Sequence, residues 1–477
     1  MKICFLARPS FDRYSVAIYK NLKEKHDKKI EAIFITTNKK ESDYVKNNID
    51  NACVYETSSY LKESWDSFTL ERLCEYEKKY DCKPIWKYIY TDRFLINRDF
   101  DYVVKIATGL FSFFEDIFKN GDVDFYYSET IATLQCYIAY LVGKKYGVKY
   151  ICQMCARGSL DSTYHYFVRD EFQYNSRLDA NFLNVDYSED ELKYADGILK
   201  EFEEKDCPPP AMQMIRTKPK MDAKFWLAPI KYLLHRFDRD LNDKYSYMYY
   251  EGYKNALDPF VFYFHYLKSR KYYREADFEK KYVYLPLHYQ PEASTCVCAE
   301  KYEKQLFYID SWAKSLPADT VLYVKEHYAL IGHRDPHFYV ELKKYPNVVM
   351  INPWESSRKL IEKSVAVAAL TGTAGLEAML LRKPVFVCGN AVYETAPGII
   401  KLDDIFDNYV QNIETWKKPE RTDVVKYLCA CIRSYDKGNA YAQNYYELID
   451  DNIDAICDSL YREMKRINRN ERAEIRN

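Results

Sequence analysis

A short turn of small and hydroxylated residues in the last third of the chain has the composition of a phosphate-binding site. A buried-strand pattern at residues 365–369 runs into Leu370-Thr371-Gly372-Thr373-Ala374-Gly375-Leu376-Glu377, and another strand pattern follows at 384–388. Small residues at the start of a helix let a ligand approach the backbone, and the first N–H groups of that helix can meet an anion. The pattern predicts phosphate binding by Thr371, Gly372, Thr373, Ala374 and Gly375.

Polar residues also follow two strand patterns upstream of this turn. Gln290 and Glu292 follow the pattern at 282–285, and Lys325-Glu326-His327 follows the pattern at 321–324. Helical patterns alternate with these strands, which predicts a parallel sheet with right-handed crossovers. Ligands bind such sheets beyond the carboxyl ends of the strands, so we expect these loops and the phosphate turn to meet at one rim. Taken alone, Lys-Glu-His could be ordinary loop polarity, and Gln-Pro-Glu could lead into a helix.

The first half of the chain indicates a second open sheet, with strand patterns at 2–7, 31–36, 125–127 and 148–152. The expected fold is therefore α/β, with two Rossmann-like open-sheet domains facing a cleft and a mostly helical insertion. The predicted parts are an N-terminal acceptor-side domain at 1–207, an aromatic-rich insertion at 208–280, a nucleotide-sugar-binding domain at 281–422, and C-terminal helices at 423–477. We expect the last helix to pack back on the first domain.

Composition narrows the class of protein. A chain of 477 residues with 48% hydrophobic content can bury more than one core. A net charge of −1 argues against a nucleic-acid partner, which normally requires a basic excess. The first residues are interpreted as a strand rather than a signal peptide, and no apolar run is long enough to span a bilayer. We therefore expect a cytoplasmic protein.

Metal and disulfide sites are not expected. The 14 cysteines of a cytoplasmic chain are interpreted as reduced, small hydrophobic residues. Cys152 and Cys155 have the spacing of a zinc or redox pair, but no second pair completes a site. Asp122-Val123-Asp124 resembles a metal-binding DxD, but it precedes its strand instead of following it. The predicted chemistry is independent of a metal.

Two carboxylates are candidates for the reacting group. Glu129 follows the strand pattern at 125–127, and Asp161 follows the pattern at 148–152, so both are predicted to face the cleft from the first domain. Either one could act as nucleophile or general base in sugar transfer. Helix capping or a salt bridge explains both residues equally well.

Three motifs follow one another along the chain: His288-Tyr289-Gln290-Pro291-Glu292, Lys325-Glu326-His327 and Thr371-Gly372-Thr373-Ala374-Gly375-Leu376-Glu377. Together they resemble the bacterial capsule polysaccharide biosynthesis family, which includes retaining β-Kdo transferases of the GT-B type. The likeness covers roughly residues 281–400. In the first half it is limited to Ser128-Glu129 and to Ala156-Arg157-Gly158 followed by Asp161. Tyr328 stands where the family often has proline, so the backbone of that loop is less fixed.

The resemblance implies a nucleotide-sugar donor such as CMP-Kdo as co-substrate, with no separate cofactor. Lys325 would offer a positive charge to the donor phosphate, and His327 a hydrogen bond or proton to the leaving oxygen. Glu377 would accept from ribose hydroxyls, although it could instead only complement the helix dipole. Gln290 and Glu292 would line the cleft. His288, His333 and His337 are expected at the surface or behind the ligand contacts.

The insertion is a candidate for acceptor binding. Residues 262–274 carry four cations and no acid among aromatic residues, which suits a membrane interface or an anionic glycan. The alternative is a helix with its aromatics inward and its cations in water. Peripheral contact with the inner membrane surface is thus one hypothesis.

Three classes of function remain open from the sequence. The first is a glycosyltransferase that acts on a surface polysaccharide or glycolipid acceptor. The second is a sugar-nucleotide epimerase or a CDP-linked polyol-phosphate transferase of the same architecture. The third is a non-catalytic glycan-binding assembly protein.

Overall fold

The structure is a computed structural model, which describes residues 1–474 except 83, 158–159, 161–162, 183–184, 205–217, 241, 250–251, 407–408 and 441–449. Asp161, one of the two candidate carboxylates, lies outside the described residues. The strands are numbered along the chain and form two separate sheets.

The first sheet has seven strands: β1 (Lys2–Ala7), β2 (Glu31–Thr36), β3 (Cys53–Glu56), β4 (Phe125–Ser128), β5 (Lys149–Cys155), β6 (Tyr164–Val168) and β13 (Asp436–Lys437). Their order is β13-β6-β5-β4-β1-β2-β3. Strands β1 to β5 are parallel, β6 runs antiparallel to β5, and β13 runs antiparallel to β6.

The alternation of side chains along β1 shows why this strand is central. Ile3 and Phe5 belong to the hydrophobic cluster on one face of the sheet, whereas Cys4 and Leu6 belong to the cluster on the other face. All four side chains are buried, because helices cover both faces. A continuous apolar run is the expected sequence of such a strand.

The second sheet has six strands: β7 (Lys281–Pro286), β8 (Thr320–Lys325), β9 (Val348–Ile351), β10 (Ala366–Ala369), β11 (Val385–Val387) and β12 (Ile399–Lys401). Their order is β12-β11-β10-β7-β8-β9, and every neighbouring pair is parallel. The predicted fold class, two open α/β sheets, is confirmed.

The described α-helices are numbered in chain order. They are α1 (Asp12–Asn21), α2 (Lys39–Asn48), α3 (Thr57–Ser64), α4 (Leu70–Lys79), α5 (Trp86–Thr91), α6 (Phe100–Asn120), α7 (Leu134–Tyr146), α8 (Ser176–Phe182), α9 (Glu189–Glu204), α10 (Ala223–Leu234), α11 (Asp258–Ser269), α12 (Ala293–Cys296), α13 (Gln305–Ser315), α14 (Pro336–Leu342), α15 (Ser357–Lys363), α16 (Thr373–Leu380), α17 (Tyr409–Thr415), α18 (Arg421–Ser434) and α19 (Asp450–Glu474).

The chain returns to the first sheet after completing the second. Helix α18 packs against α8 and α9, where Arg433 makes two hydrogen bonds of 2.6 and 2.7 Å to the Glu191 carboxylate. Strand β13 then joins the edge of the first sheet, and α19 packs on α1. The C-terminal helix thereby contributes Ile456 and Leu460 to the core beneath the first sheet.

Several elements differ from the sequence prediction. Strands β3, β6, β12 and β13 were not predicted. Strand β3 is a half-exposed edge strand and lacks an apolar run. Strand β6 is fully buried, but its sequence Tyr-His-Tyr-Phe-Val contains polar atoms and so does not have the continuous apolar pattern of a buried strand. The helical pattern between the strand patterns at 282–285 and 321–324 predicts a helix over roughly 299–315. In the structure α13 begins later, because a short 3-10 turn at Glu300–Tyr302 precedes it.

Among the described residues, no helix has both the length and the apolar composition to cross a membrane. The described cysteines are free thiols, and most of them are buried.

Candidate functional site

Each sheet has one topological switch point. On one side of it the chain adds strands in one direction along the sheet, and on the other side it adds them in the opposite direction. In the first sheet it lies between β1 and β4, and in the second between β7 and β10. The crevice beyond such a point is where open α/β sheets bind ligands. Arg8 and Glu129 follow β1 and β4, and His288 and Gly372 lie just beyond β7 and β10. The topology therefore selects these four residues.

The loop after β7 is held by a buried glutamine. The Gln305 amide accepts a hydrogen bond from the His288 backbone N–H at 2.8 Å and donates to the His288 carbonyl at 3.0 Å. It also donates to the Gln290 side chain at 2.6 Å, and Gln290 in turn donates to the Glu303 carbonyl at 2.5 Å. Gln290 is therefore part of the support of this loop.

His288 lies directly against the phosphate turn. A Cβ atom on Gly372 would be 2.8 Å from Cε1 of the His288 ring, so only glycine fits there without displacement. The ring is buried, with an exposed fraction of 8%, and its Nε2 atom has no hydrogen-bond partner among the described residues. Burial lowers the pKa of His288 to about 4, and the neighbouring His327 acts in the same direction. The imidazole is neutral at pH 7.

The phosphate turn opens α16 as predicted, with Gly372 at the N-cap. Two of its polar groups form hydrogen bonds within the protein: Thr371 Oγ1 donates to the Ser294 carbonyl at 2.7 Å, and the Tyr393 hydroxyl donates to the Gly372 carbonyl at 2.5 Å. Thr373 and Ala374 occupy the first helical positions, whose N–H groups have no partner within a helix. The backbone, more than the Thr371 hydroxyl, is thus suited to meet an anion.

Lys325 is directed into the protein. Its ammonium group donates to the Ser357 hydroxyl at 2.7 Å, the Glu355 carbonyl at 2.8 Å and the Tyr328 hydroxyl at 3.1 Å. The residue is 3% exposed. The lysine thus fixes the loops after β8 and β9, and its predicted contact with a donor phosphate stays a prediction.

Glu326 orients the loop that carries His327. Its carboxylate accepts two hydrogen bonds from Arg334, at 2.7 and 3.1 Å, one from the Tyr339 hydroxyl at 2.9 Å and one from the His327 backbone N–H at 2.8 Å. Although burial acts to lower the pKa of Arg334, the adjacent Glu326 carboxylate raises it. The ion pair is buried and charge-assisted at both ends.

The His327 ring is fixed in one tautomer. The Ala329 backbone N–H donates to Nδ1 at 3.3 Å, so the neutral ring carries its proton on Nε2. Burial lowers the pKa of His327, while the Glu292 and Glu326 carboxylates act in the opposite direction. The histidine is therefore a neutral Nε2–H donor near Glu292.

Glu292 and Glu377 lie around the same rim. Glu292 occupies the N-cap of α12 and accepts a hydrogen bond from the Ser294 hydroxyl at 2.8 Å. Glu377 is partly exposed on the second turn of α16, and its charge contributes to raising the pKa of Tyr284, for which burial is the main cause. Both carboxylates thus lie close to the loops that carry His327 and the phosphate turn.

Glu129 forms a two-pronged ion pair across the first switch point. Arg8 Nε donates to one carboxylate oxygen at 2.6 Å, and Arg8 Nη2 donates to the other. The two side chains are only 20% and 18% exposed. Burial acts to lower the pKa of Arg8, and the Glu129 carboxylate raises it. The salt-bridge interpretation of Glu129 is thus realised, which fixes the carboxylate at the rim.

Arg157 lies between the first sheet and the second domain. It follows β5 of the first sheet and lines a narrow pocket together with Leu376 and Tyr393 of the second domain. Burial raises the pKa of Tyr393, and the Arg157 charge acts against that shift. An arginine of the first domain therefore lies close to the helix that begins at the phosphate turn.

Residues 280–426 match the family model described as capsule polysaccharide biosynthesis protein. This confirms the resemblance over the region that holds β7 to β12. No curated protein matches the chain.

Solved structures similar to this chain include Thermosulfurimonas dismutans KpsC, a beta Kdo 2,7 transferase, at 15% identity and a TM-score of 0.33, covering 66% of this chain and 80% of that one. A second structure of Thermosulfurimonas dismutans KpsC, described as a beta Kdo 2,4 transferase, matches at 10% identity and a TM-score of 0.39, covering 67% of this chain and 82% of that one. Methanocaldococcus jannaschii UDP-GlcNAc 2-epimerase matches at 11% identity and a TM-score of 0.28, covering 89% of this chain and 98% of that one. Scores this low carry no conclusion about activity.

The described residues include no group of three or more His, Cys, Asp or Glu side chains that could hold a metal ion. Asp124 accepts a hydrogen bond from the Lys2 backbone N–H at 2.7 Å, ahead of β4 and away from the switch point. Asp124 of the DxD pattern is therefore bound to the start of β1, at the amino ends of the strands and opposite the rim.

Sequence reasoning did not select Arg8, His288 or Tyr393 as site residues. Arg8 could have been found, because it directly follows the first strand at the same rim as Glu129. The other two could not, since the approach of His288 to Gly372 and of Tyr393 to Gly375 depends on which strands are neighbours.

Proposed function

We propose that the protein is a glycosyltransferase that moves a sugar from a nucleotide-linked donor to a surface polysaccharide or glycolipid acceptor. The observation that carries this proposal is that each of the two switch points presents groups suited to one part of such a reaction. One presents the N-terminus of α16 with His288, and the other presents the Arg8–Glu129 pair. The match of residues 280–426 to the capsule family model supports the same class.

In this proposal the second domain binds the donor. The backbone N–H groups at the start of α16 stabilise the donor phosphate, which also benefits from the helix dipole. The Nε2–H group of His327 donates to the leaving phosphate oxygen, where negative charge develops. Lys325 keeps the loops after β8 and β9 in place, and Glu377 accepts from the ribose. We further propose CMP-Kdo, or a related CMP-linked sugar acid, as donor.

The first domain supplies the reacting carboxylate. Glu129, held by Arg8, or Asp161 acts on the sugar carbon or on the acceptor hydroxyl between the rims. Because the start of α16 can neutralise the phosphate, we propose that transfer needs no divalent ion. EDTA is therefore expected to leave the rate of transfer unchanged.

The decisive experiment measures nucleotide release and product from CMP-Kdo, with and without a glycolipid acceptor. A transferase forms a glycosylated product only with acceptor present. Conversion of a UDP-sugar donor without acceptor would indicate an epimerase, and turnover of a CDP-linked donor would indicate a polyol-phosphate transferase. A thermal shift with CMP but no turnover of any donor would indicate a binding protein.

A further inference from the structure

Helix α10 exposes a complete apolar stripe. Trp226, Leu227, Ile230, Leu233 and Leu234 recur at helical spacing, and each is between 54% and 59% exposed. In a globular protein such a stripe normally faces the core, so its exposure calls for a partner.

Helix α11 extends this apolar surface. The Phe225 and Phe260 rings meet at 5.1 Å, so the two helices pack side by side. Leu257 is 68% exposed at the start of α11, and Phe264, about two turns further along the same face, is 60% exposed. We call the exposed apolar side chains of α10 and α11 the insertion face; its main members are Trp226, Leu227, Ile230, Leu234, Leu257 and Phe264.

Cations surround the insertion face. Residues 223–237 include no acid and carry exposed Lys224, Lys231 and Arg236. Residues 259–274 likewise include no acid, and Lys268 and Arg270 are exposed. These two segments therefore carry only positive formal charge beside the insertion face, although acids flank them at Asp222, Asp238 and Asp258 and the net charge of the whole chain is −1.

The insertion face is attached at the rim of the second sheet. The Phe262 ring of α11 lies 4.1 Å from the His333 ring, in the loop that follows His327. A Cβ atom on Gly332 would be 2.6 Å from the Phe262 carbonyl oxygen, which shows how closely α11 lies on this loop. On the other side of the insertion, the Tyr247 hydroxyl donates to the Asp92 carboxylate of the first domain.

We propose that the insertion face docks the protein on an anionic phospholipid bilayer. Tryptophan and leucine side chains are stabilised at the level of the headgroups, and lysine and arginine pair with lipid phosphates. A second copy of this chain is a poorer partner, because a symmetric interface would place the same cations near one another. Docking goes beyond the proposed sugar transfer and does not depend on it.

The test is co-sedimentation of the full chain with vesicles of phosphatidylglycerol and phosphatidylcholine in equal amounts, and with phosphatidylcholine alone. The double variant Leu227→Glu/Ile230→Glu places two charges on the insertion face, where side chains are exposed enough to leave the fold intact. Phe406→Glu is the matched control, since Phe406 is 51% exposed on the second domain and far along the chain from the insertion.

We expect wild type and the Phe406→Glu variant to bind the anionic vesicles, more weakly at high salt, and the double variant to bind about tenfold less or worse. Thermal unfolding verifies that all three proteins are folded. Equal vesicle binding by all three, or no binding by wild type, overturns the proposal. So does a wild-type dimer in sedimentation velocity that the double variant disperses, because the face would then be a contact between copies.

Discussion

At the scale of single residues, His288 is the clearest consequence of the fold for the chemistry of the rim. Its ring is buried against the phosphate turn, with no acceptor or donor for Nε2 among the described residues. Because a charged imidazole is poorly solvated there, its pKa is lowered to about 4. A neutral ring beside the phosphate turn can donate or accept without adding charge.

Replacing His288 with glutamine is expected to change how stability depends on pH. The folded pKa lies near 4 and the ordinary value is 6.5, so wild type loses stability as the pH falls from 6.5 to 4, and keeps it fully above 6.5. The loss reaches about 3 kcal/mol for this histidine. Urea unfolding of both proteins across this pH range measures the loss. The free energy of unfolding of wild type should fall relative to that of the variant as the pH falls from 6.5 to 4. Parallel curves would show that His288 does not titrate in this way.

Glu129 raises a different question, because its carboxylate is already paired with Arg8. Such a pair can be a structural support or a means of aiming the carboxylate at the cleft. The two roles differ in what a neutral replacement does to turnover, whereas both predict some loss of stability.

The Glu129→Gln variant is expected to lose about a hundredfold or more in turnover while keeping its thermal shift with CMP. Glu191→Gln is the control, since Glu191 also pairs with an arginine through both oxygens but lies at the contact of α9 with α18. Initial rates and melting temperatures are measured for both. Equal rates in the two variants would assign Glu129 a structural role and leave Asp161 as the candidate.

At the scale of elements, α16 is positioned by the ring of one tyrosine. Tyr393 is buried and donates to the Gly372 carbonyl at 2.5 Å, and its hydroxyl oxygen would overlap a Cβ atom on Gly375. The glycine is thus required by packing. The hydrogen bond from Tyr393 to the Gly372 carbonyl therefore fixes the position of the first turn of α16.

Substituting Gly375 with alanine is therefore expected to destabilise the protein by about 1–3 kcal/mol, since the buried ring cannot move away. It should also reduce the thermal shift with CMP by displacing the helix start. Gly197→Ala is the control: Gly197 lies in α9, where an added methyl group would meet no other atom within 4 Å, and alanine there should stabilise by about 0.5–1 kcal/mol. Opposite signs in urea unfolding verify the argument, and a stabilising Gly375→Ala would refute it.

At the scale of the whole molecule, the two ends of the chain share one core. Helix α19 packs on α1 and shares a hydrophobic cluster with β1, although more than 400 residues separate it from both in the printed sequence. Leu460 and Ile456 are completely buried there. The first domain is therefore completed only after the second has been synthesised.

Leu460→Ala is expected to lower the free energy of unfolding by about 2–5 kcal/mol, as the removal of a buried leucine side chain usually does. Lys465→Ala on the exposed side of the same helix should change it by less than about 1 kcal/mol. Thermal and urea unfolding of both variants measure the difference. A small effect of Leu460→Ala would show that α19 contributes little to the core.

Local sequence was sufficient to predict the two-sheet α/β fold and the loops at its rims. Strands β1 and β2 were predicted at their observed bounds, because buried parallel strands have continuous apolar runs that turn residues interrupt. The glycine turn before α16 was equally clear, since backbone close to a ligand requires small residues. Strand β6 was missed because its tyrosine and histidine atoms find partners only in the folded chain.

The sequence by itself determined the strands and the polar and small residues at their ends, and it predicted phosphate binding there. Only the tertiary structure decided how their side chains are used. It directed Lys325 into the protein, paired Glu129 with Arg8, and brought His288 against Gly372. These outcomes depend on strand order, and strand order is fixed by packing between segments far apart in the chain, which local patterns of hydrophobicity do not encode.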